Sequence, residues 1–215
     1  MAADPVADAL TLLDWRRRVA DLYREIRSDP DPRRSWSIWR RARADLFRRH
    51  PQSPIPVSAR GGFSGPYVYP YDPTWRVLAD VEPAAEKRLE VPTSTGEGMV
   101  LRRWGVARFR AQETDLSLEL YWLEGYGGGA FAPFADATSG GETYGAGRYL
   151  LDSIKGADLG EEGGRLVLDF NFAYQPSCSY EPRWTCPLAP PANRLPLPVR
   201  AGERLVDSGS SPSGG

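Results

Sequence analysis

Of 215 residues about a fifth are Gly (22) or Pro (20), yet 41% are apolar and seven are Trp. That is a globular composition, which excludes collagen-like and disordered chains. A net charge of −1 offers no overall basic field for nucleic acid, and a single histidine, His50, excludes any site built on several His.

The first residues, Met-Ala-Ala-Asp-Pro-Val-Ala-Asp, lack a basic start followed by an apolar run, and no stretch approaches ~18 consecutive apolar residues. The expectation is a cytoplasmic protein with neither membrane nor nucleic acid as partner. Residues 5–27 read as a helix. Leu12, Trp15, Val19, Leu22 and Ile26 recur at three- and four-residue intervals, and Asp4 before Pro5 is its expected cap. The run Asp29–Pro32 stops it. A second helix is expected from Ser35, as cap, to Arg49, with Trp36, Trp39, Leu46 and Phe47 on its stripe. The prolines of His50–Pro56 end it. Residues 1–50 carry twelve Arg against eight acids, and the remainder is net acidic. Solvated arginines opposite an apolar stripe account for this.

From residue 57 the period becomes two. Leu116, Leu118, Leu120 and Trp122 alternate with Ser117, Glu119 and Tyr121. Further strands are expected near 62–70, 74–82, 85–92, 98–111 and 165–174. Short Gly/Ser/Thr turns without helical spacers imply an antiparallel sheet. The predicted class is therefore α+β, mainly β: an antiparallel barrel or sandwich preceded by two N-terminal helices. The expected units are a helical lead (1–56) packed on the sheet, a β domain (57–206) and a disordered tail (207–215).

Three stretches can carry chemistry. Residues 131–150 read as a Gly-rich loop holding Asp136, Thr138, Glu142, Thr143 and Tyr144 and leading into Arg148, Tyr149 and Leu150. Its glycines match neither a Walker loop nor a full dinucleotide fingerprint, so turns explain them better than a phosphate cradle. In 165–174, alternation puts Leu166, Leu168, Phe170, Phe172 and Tyr174 on one face and Asp169 with Asn171 on the other. Asp and Asn are depleted in strands, so their presence asks for a reason. A pocket lining is one, with Arg148 pairing Asp169 or an anion. Residues 175–203 hold seven prolines between Pro176 and Pro198, together with Cys178, Cys186 and Asn193. Two thiols without a neighbouring His do not make a zinc knuckle. Buried thiols pinning a stiff loop explain them best, ahead of a disulfide.

These strings, FAPFADATSGGETYGAGRYL (131–150) and LDFNFAYQPSCSYEPRWTCPLAPPANRLPLPVRAGE (168–203), resemble the signature of the domain-of-unknown-function 1684 family. HPQSPIP (50–56), YVYPYDPTWRV (67–77) and VPTSTGE (91–97) resemble its upstream part. The likeness spans about residues 35–205. Gln175 departs from it, since members usually carry Asn there. The resemblance implies a bacterial or archaeal source and one shared site among these strings; it implies no activity.

Two functions compete. In the first, Asp136, Thr143, Tyr144, Arg148, Tyr149, Asp169, Asn171 and Tyr174 converge on a cleft for a small polar or anionic ligand. Asp169 is then the candidate acid/base, and Asp136, Asp169 and Asn171 form a variant Mg²⁺ or Ca²⁺ set. In the second, the same residues form a buried hydrogen-bond network in a noncatalytic module, with Cys178, Cys186 and Asn193 structural. Redox work by the cysteines is a third, weaker reading.

Overall fold

The computed structural model describes residues 4–96, 98–125 and 128–205. Helix α1 spans Pro5–Ser28 and α2 Pro32–Arg49. Asp4 caps α1 as expected, its carboxylate accepting from Val6 N, with Pro5 in the first turn. The cap of α2 is Asp31, not Ser35. Pro32 presets the first turn, and Asp31 Oδ1 accepts from the amides of Arg33 and Arg34. Ser35 thereby lies inside the helix and is buried.

Among the described residues nine strands follow: β1 (Tyr67–Val68), β2 (Arg76–Pro92), β3 (Gly98–Ala111), β4 (Thr114–Leu123), β5 (Gly129–Phe134), β6 (Arg148–Asp152), β7 (Glu161–Glu162), β8 (Arg165–Asp169) and β9 (Glu203–Arg204). Seven form one antiparallel sheet in the order β6-β5-β4-β3-β2-β8-β7, and β1 pairs with β9. The expected strands at 74–82 and 85–92 are one long strand, β2, irregular between Pro83 and Lys87. The expected strand at 62–70 shrinks to β1. The presumed Gly-rich loop at 131–150 contains most of β5 and the start of β6.

The fold is mainly β and sandwich-like, and the sheet does not close into a barrel. β6 and the chain leaving β8 meet only through an isolated bridge, Tyr149 to Tyr174. The cause is local. Asp169 Oδ1 accepts from Asn171 N, which turns residues 170–172 into a 3-10 turn and ends the β8 ladder.

Both sheet faces are buried, at different ends. On one face Trp75, Val77, Phe109, Leu118, Leu120, Phe134, Leu168 and Phe170 pack together beneath Leu195, Val199 and Ala201 of the C-terminal loop. Each such large side chain contributes roughly 1.5–3 kcal/mol. On the other, Leu22, Tyr23, Ile26, Trp36 and Trp39 of the helices cover Leu101, Tyr121, Phe131, Tyr149, Phe172 and Tyr174. β4 shows the switch: Leu120 faces the first layer and Tyr121 the second, leaving Trp122 37% exposed rather than in the core. A bulge between Arg103 and Gly105 lets β3 follow. Among the described residues no helix is long and apolar enough to cross a membrane. The expected disordered tail, residues 207–215, lies outside the described residues.

Candidate functional site

The signature residues divide into groups with different chemistry. The first is centred on Arg148, at the start of β6. Its guanidinium donates to Asp136 Oδ2 (2.6 Å), Val199 O (2.8 Å), Glu203 O (3.1 Å) and Ala201 O. Side-chain exposure is 1% for Arg148 and 0% for Asp136. Asp136 Oδ1 accepts from Thr138 N (2.6 Å), and the Thr138 and Thr143 hydroxyls are 2.8 Å apart. Gly147 belongs to the same construction: its φ of +95° and its approach to Phe134 O would place a Cβ 2.4 Å from that oxygen. Arg148 thus ties strand β6 to the C-terminal loop. The expected partnership of Arg148 with Asp169 does not form: Nη1 and Nη2 are taken by Asp136 and three carbonyls, and Nε is buried without a partner among the described residues.

Asn193 does similar work. Its Nδ2 donates to Pro133 O (2.7 Å) and Glu119 O (3.0 Å), and its Oδ1 accepts from Glu119 N (2.8 Å). It pins the proline-rich loop across β4 and β5. Glu203, which sequence reasoning did not single out, is a third buried anchor. It accepts from Arg43 Nε (2.7 Å), Gln175 N (2.8 Å) and the Tyr180 hydroxyl (3.0 Å). Its place inside the quoted AGE string was the available signal.

The second group surrounds Tyr174. Its hydroxyl donates to Asp152 Oδ2 (2.9 Å), and burial beside Asp152 pushes its pKa well above 10. Tyr149 is likewise raised by burial, and its hydroxyl donates to Pro187 O (2.7 Å). Cys178 and Cys186 are free and buried. A thiol–thiol hydrogen bond holds Cys178 below the ordinary thiol range and Cys186 above it. Tyr144, next to Cys178, is pushed up to about 12 by burial first and by that contact second.

Asp169 and Asn171 form the third group. Asn171 is satisfied: Nδ2 donates to Asp72 O and Asp169 Oδ1 (both 2.8 Å), and Oδ1 accepts from Asp72 N (2.9 Å). Asp169 is half satisfied, because its Oδ2 is buried without a hydrogen-bond partner among the described residues. Burial pushes its pKa up to about 6, against the lowering hydrogen bonds from Asn171 and the charge of Arg76. Asp136 and Asp169 share no hydrogen-bond partner. Among the described residues no three His, Cys, Asp or Glu are grouped to hold a metal. Of the expected three-oxygen cation set, Asp136 is taken up by Thr138 and Arg148, and Asn171 by Asp72 and Asp169.

Two pockets adjoin these groups. The loop pocket, about 310 Å³, lies between the helices and the proline-rich loop. Its walls include Leu12, Trp15, Val19, Phe47 and Tyr174, with Gln175, Trp184 and Cys186 from the signature. Arg16, Arg43 and Lys155 also line it, and among the described residues no carboxylate does. Trp184 Nε1, a donor, is buried without a partner among the described residues. The corner pocket, about 330 Å³, lies where α1 turns into α2, beside β7 and β8. Asp29, Ser35, Glu161, Glu162 and Asp169 are among its lining residues. A larger trough of about 820 Å³ crosses the solvent face of β2 and β3. Its Arg108 and Arg110 are already paired, with Glu82 and Asp115. Of the eight expected ligand residues, then, only Tyr174 lines the loop pocket and only Asp169 the corner pocket.

The profile of a family described as a protein of unknown function (DUF1684) matches residues 61–204. The chain is similar to an uncharacterized protein of Haloarcula marismortui, solved in solution by NMR. Identity is 31%, covering 77% of this chain and 90% of that one, with a TM-score of 0.55. No curated protein matches. With two thirds of its length matched, including every signature residue placed above, the chain belongs to the DUF1684 family.

Proposed function

We propose that the protein binds a small amphipathic anion in the loop pocket: an apolar body between the helices and the loop, its acidic group toward Trp184. One observation carries this reading. A mostly apolar pocket is lined, among the described residues, by three cationic side chains and no carboxylate, and it includes a tryptophan whose buried indole N–H has no acceptor among them. A ligand oxygen would satisfy that donor, and burying an unmet donor otherwise costs about 1–3 kcal/mol. Such concave, largely apolar sites with a few fixed polar groups are the common form of small-molecule pocket. Arg43 is committed to Glu203 at 2.7 Å and Lys155 lies 3.7 Å from Asp152 Oδ2, so Arg16 supplies the adaptable charge. A cytoplasmic location belongs to this reading, since a reducing compartment keeps the two free thiols reduced. No reaction is proposed.

The test is native mass spectrometry of the purified protein for a retained anion, followed by calorimetric titration with 4-phenylbutyrate and its alcohol analogue. Binding of the carboxylate in preference to the alcohol, weakened about tenfold by Trp184→Phe, is expected, since a hydrogen bond to a charged group is worth about 1.5–3 kcal/mol. Equal binding of acid and alcohol, or no saturable binding of either at millimolar concentration, overturns it.

The second reading, a noncatalytic structural role, is favoured for one group by a specific observation: Arg148 spends its bonds on Asp136 and three backbone carbonyls. For Asp136, Thr143 and Arg148 the lock is the role we propose, and it coexists with ligand binding next to Tyr174.

A further inference from the structure

We propose that the corner pocket is a second binding site, for a small organic cation: a primary ammonium or guanidinium on a short apolar stem, received by Asp169 Oδ2. The proposal is independent of the loop pocket.

The observation that carries it is a carboxylate oxygen left without a donor. Asp169 lines the pocket and is 1% exposed, and its Oδ1 is used up capping the 3-10 turn at Asn171. Arg76 stands directly across the β2–β8 ladder from Asp169 and is the natural counter-ion. Its Nη2 instead donates to Glu162 Oε2 at 2.9 Å. The pocket's other arginine is also engaged: Arg27 Nη1 donates to Asp158 O at 2.5 Å. Asp29 is held by Arg34 and by the amide of Asp31. The local cations therefore donate to the rim and the backbone; Arg76 reaches Asp169 through its charge alone, and Oδ2 has no donor among the described residues.

A buried anion without a donor is expensive, and proteins meet that cost by pairing it or protonating it. Here burial raises the Asp169 pKa to about 6, so near neutral pH much of the population is ionised and open to a donor. An entering ammonium would supply a charge-assisted hydrogen bond, roughly twice as strong as a neutral one. The remaining lining suits such a ligand. Ile26, Pro30, Val167 and Phe172 offer apolar contact for a stem, and Glu161 and Glu162 at the exposed mouth favour cations over anions. Ser35, buried at the pocket wall and facing Asp29 without a hydrogen bond of good geometry, adds a hydroxyl within the site.

The test is an NMR titration of the ¹⁵N-labelled full chain with n-butylamine at neutral pH, with 1-butanol and butyrate as controls. Expected are saturable shifts confined to residues around the α1–α2 turn and β7–β8 with butylamine, and none with the controls. Asp169→Asn keeps the capping oxygen and is expected to weaken butylamine at least tenfold. Its own spectrum reports whether the fold persists. Glu162→Gln, at the exposed rim, provides the second variant: it releases Arg76 to answer Asp169 and is expected to weaken butylamine a few-fold. Absence of saturable shifts, which would mean the pocket holds water only, overturns the proposal. So does equal binding of butanol, or an affinity unchanged in either variant.

Discussion

Asp136 and Asp169 are the same device used to opposite ends. Each is a buried carboxylate just after or at the end of a strand, and each uses Oδ1 to cap the amide two residues on, Thr138 in one case and Asn171 in the other. The difference lies in the second oxygen. Asp136 Oδ2 accepts from Arg148 at 2.6 Å, and Asp169 Oδ2 accepts from nothing. A carboxylate whose two oxygens are both answered by the chain is a fastener. One with an unanswered oxygen at a pocket wall keeps its capacity for a ligand. Two aspartates in similar local settings thus divide the protein into a locked end, where the C-terminal loop closes over the sheet, and an open corner beneath the helices.

The largest expected effect lies at the locked end. Arg148→Met leaves Asp136 as a buried charge and frees the carbonyls of Val199, Ala201 and Glu203. Removing one partner of a buried pair costs about 3–5 kcal/mol. Urea denaturation should show a loss of that size, and a loss below 1 kcal/mol would mean the ion pair is no fastener. Asn193→Ala should come next, at about 2–3 kcal/mol, because it orphans Glu119 N, Glu119 O and Pro133 O together. Hydrogen exchange at Ala135, Asn193 and Leu195, whose backbone groups interlock, should accelerate more in this variant than exchange in α1.

How much of this was legible in the chain depends on whether the signal was local. The helix stripes were: Leu22 and Ile26, Trp36 and Trp39 bury where their spacing puts them. So were β3 and β4, whose alternation is strong. β5 was not, because GAFAPF carries no β-branched residue and a proline, and its pairing is set by β4 and β6 rather than by propensity. Alternation singles out Asp169 and Asn171 as polar residues in need of partners, but it does not identify those partners. Parity says which face a side chain takes and nothing of which strand lies opposite. The β2–β8 register brings Arg76, not Arg148, to Asp169 across 93 residues of sequence. Asn171 was expected beside Asp169 on a continuing strand. Instead the Asp169 cap bends the chain there, a side-chain-to-backbone bond that alternation cannot represent. The loop pocket joins Trp15 to Cys186, and only the folded chain could bring those together.

The smallest effect tests the open corner without any ligand. The folded-state pKa of Asp169, about 6, lies above the ordinary 3.8, so the native state holds this proton more tightly than the unfolded chain does. Its contribution to stability is therefore fully present below about pH 4 and is lost as pH rises through 6. Asp169→Asn keeps the Oδ1 acceptor for Asn171 and removes the ionisable oxygen. The variant should lose this part of the pH dependence and unfold at about 1 kcal/mol higher free energy than the parent at pH 7, the gain held down by the new unmatched amide N–H₂. The comparison is a pair of urea titrations at pH 4.5 and pH 7. The stability difference between the two proteins should grow with pH. A variant less stable than the parent at pH 7 would show that Oδ2 already has a donor, and Asp169 would then belong with Asp136 among the fasteners.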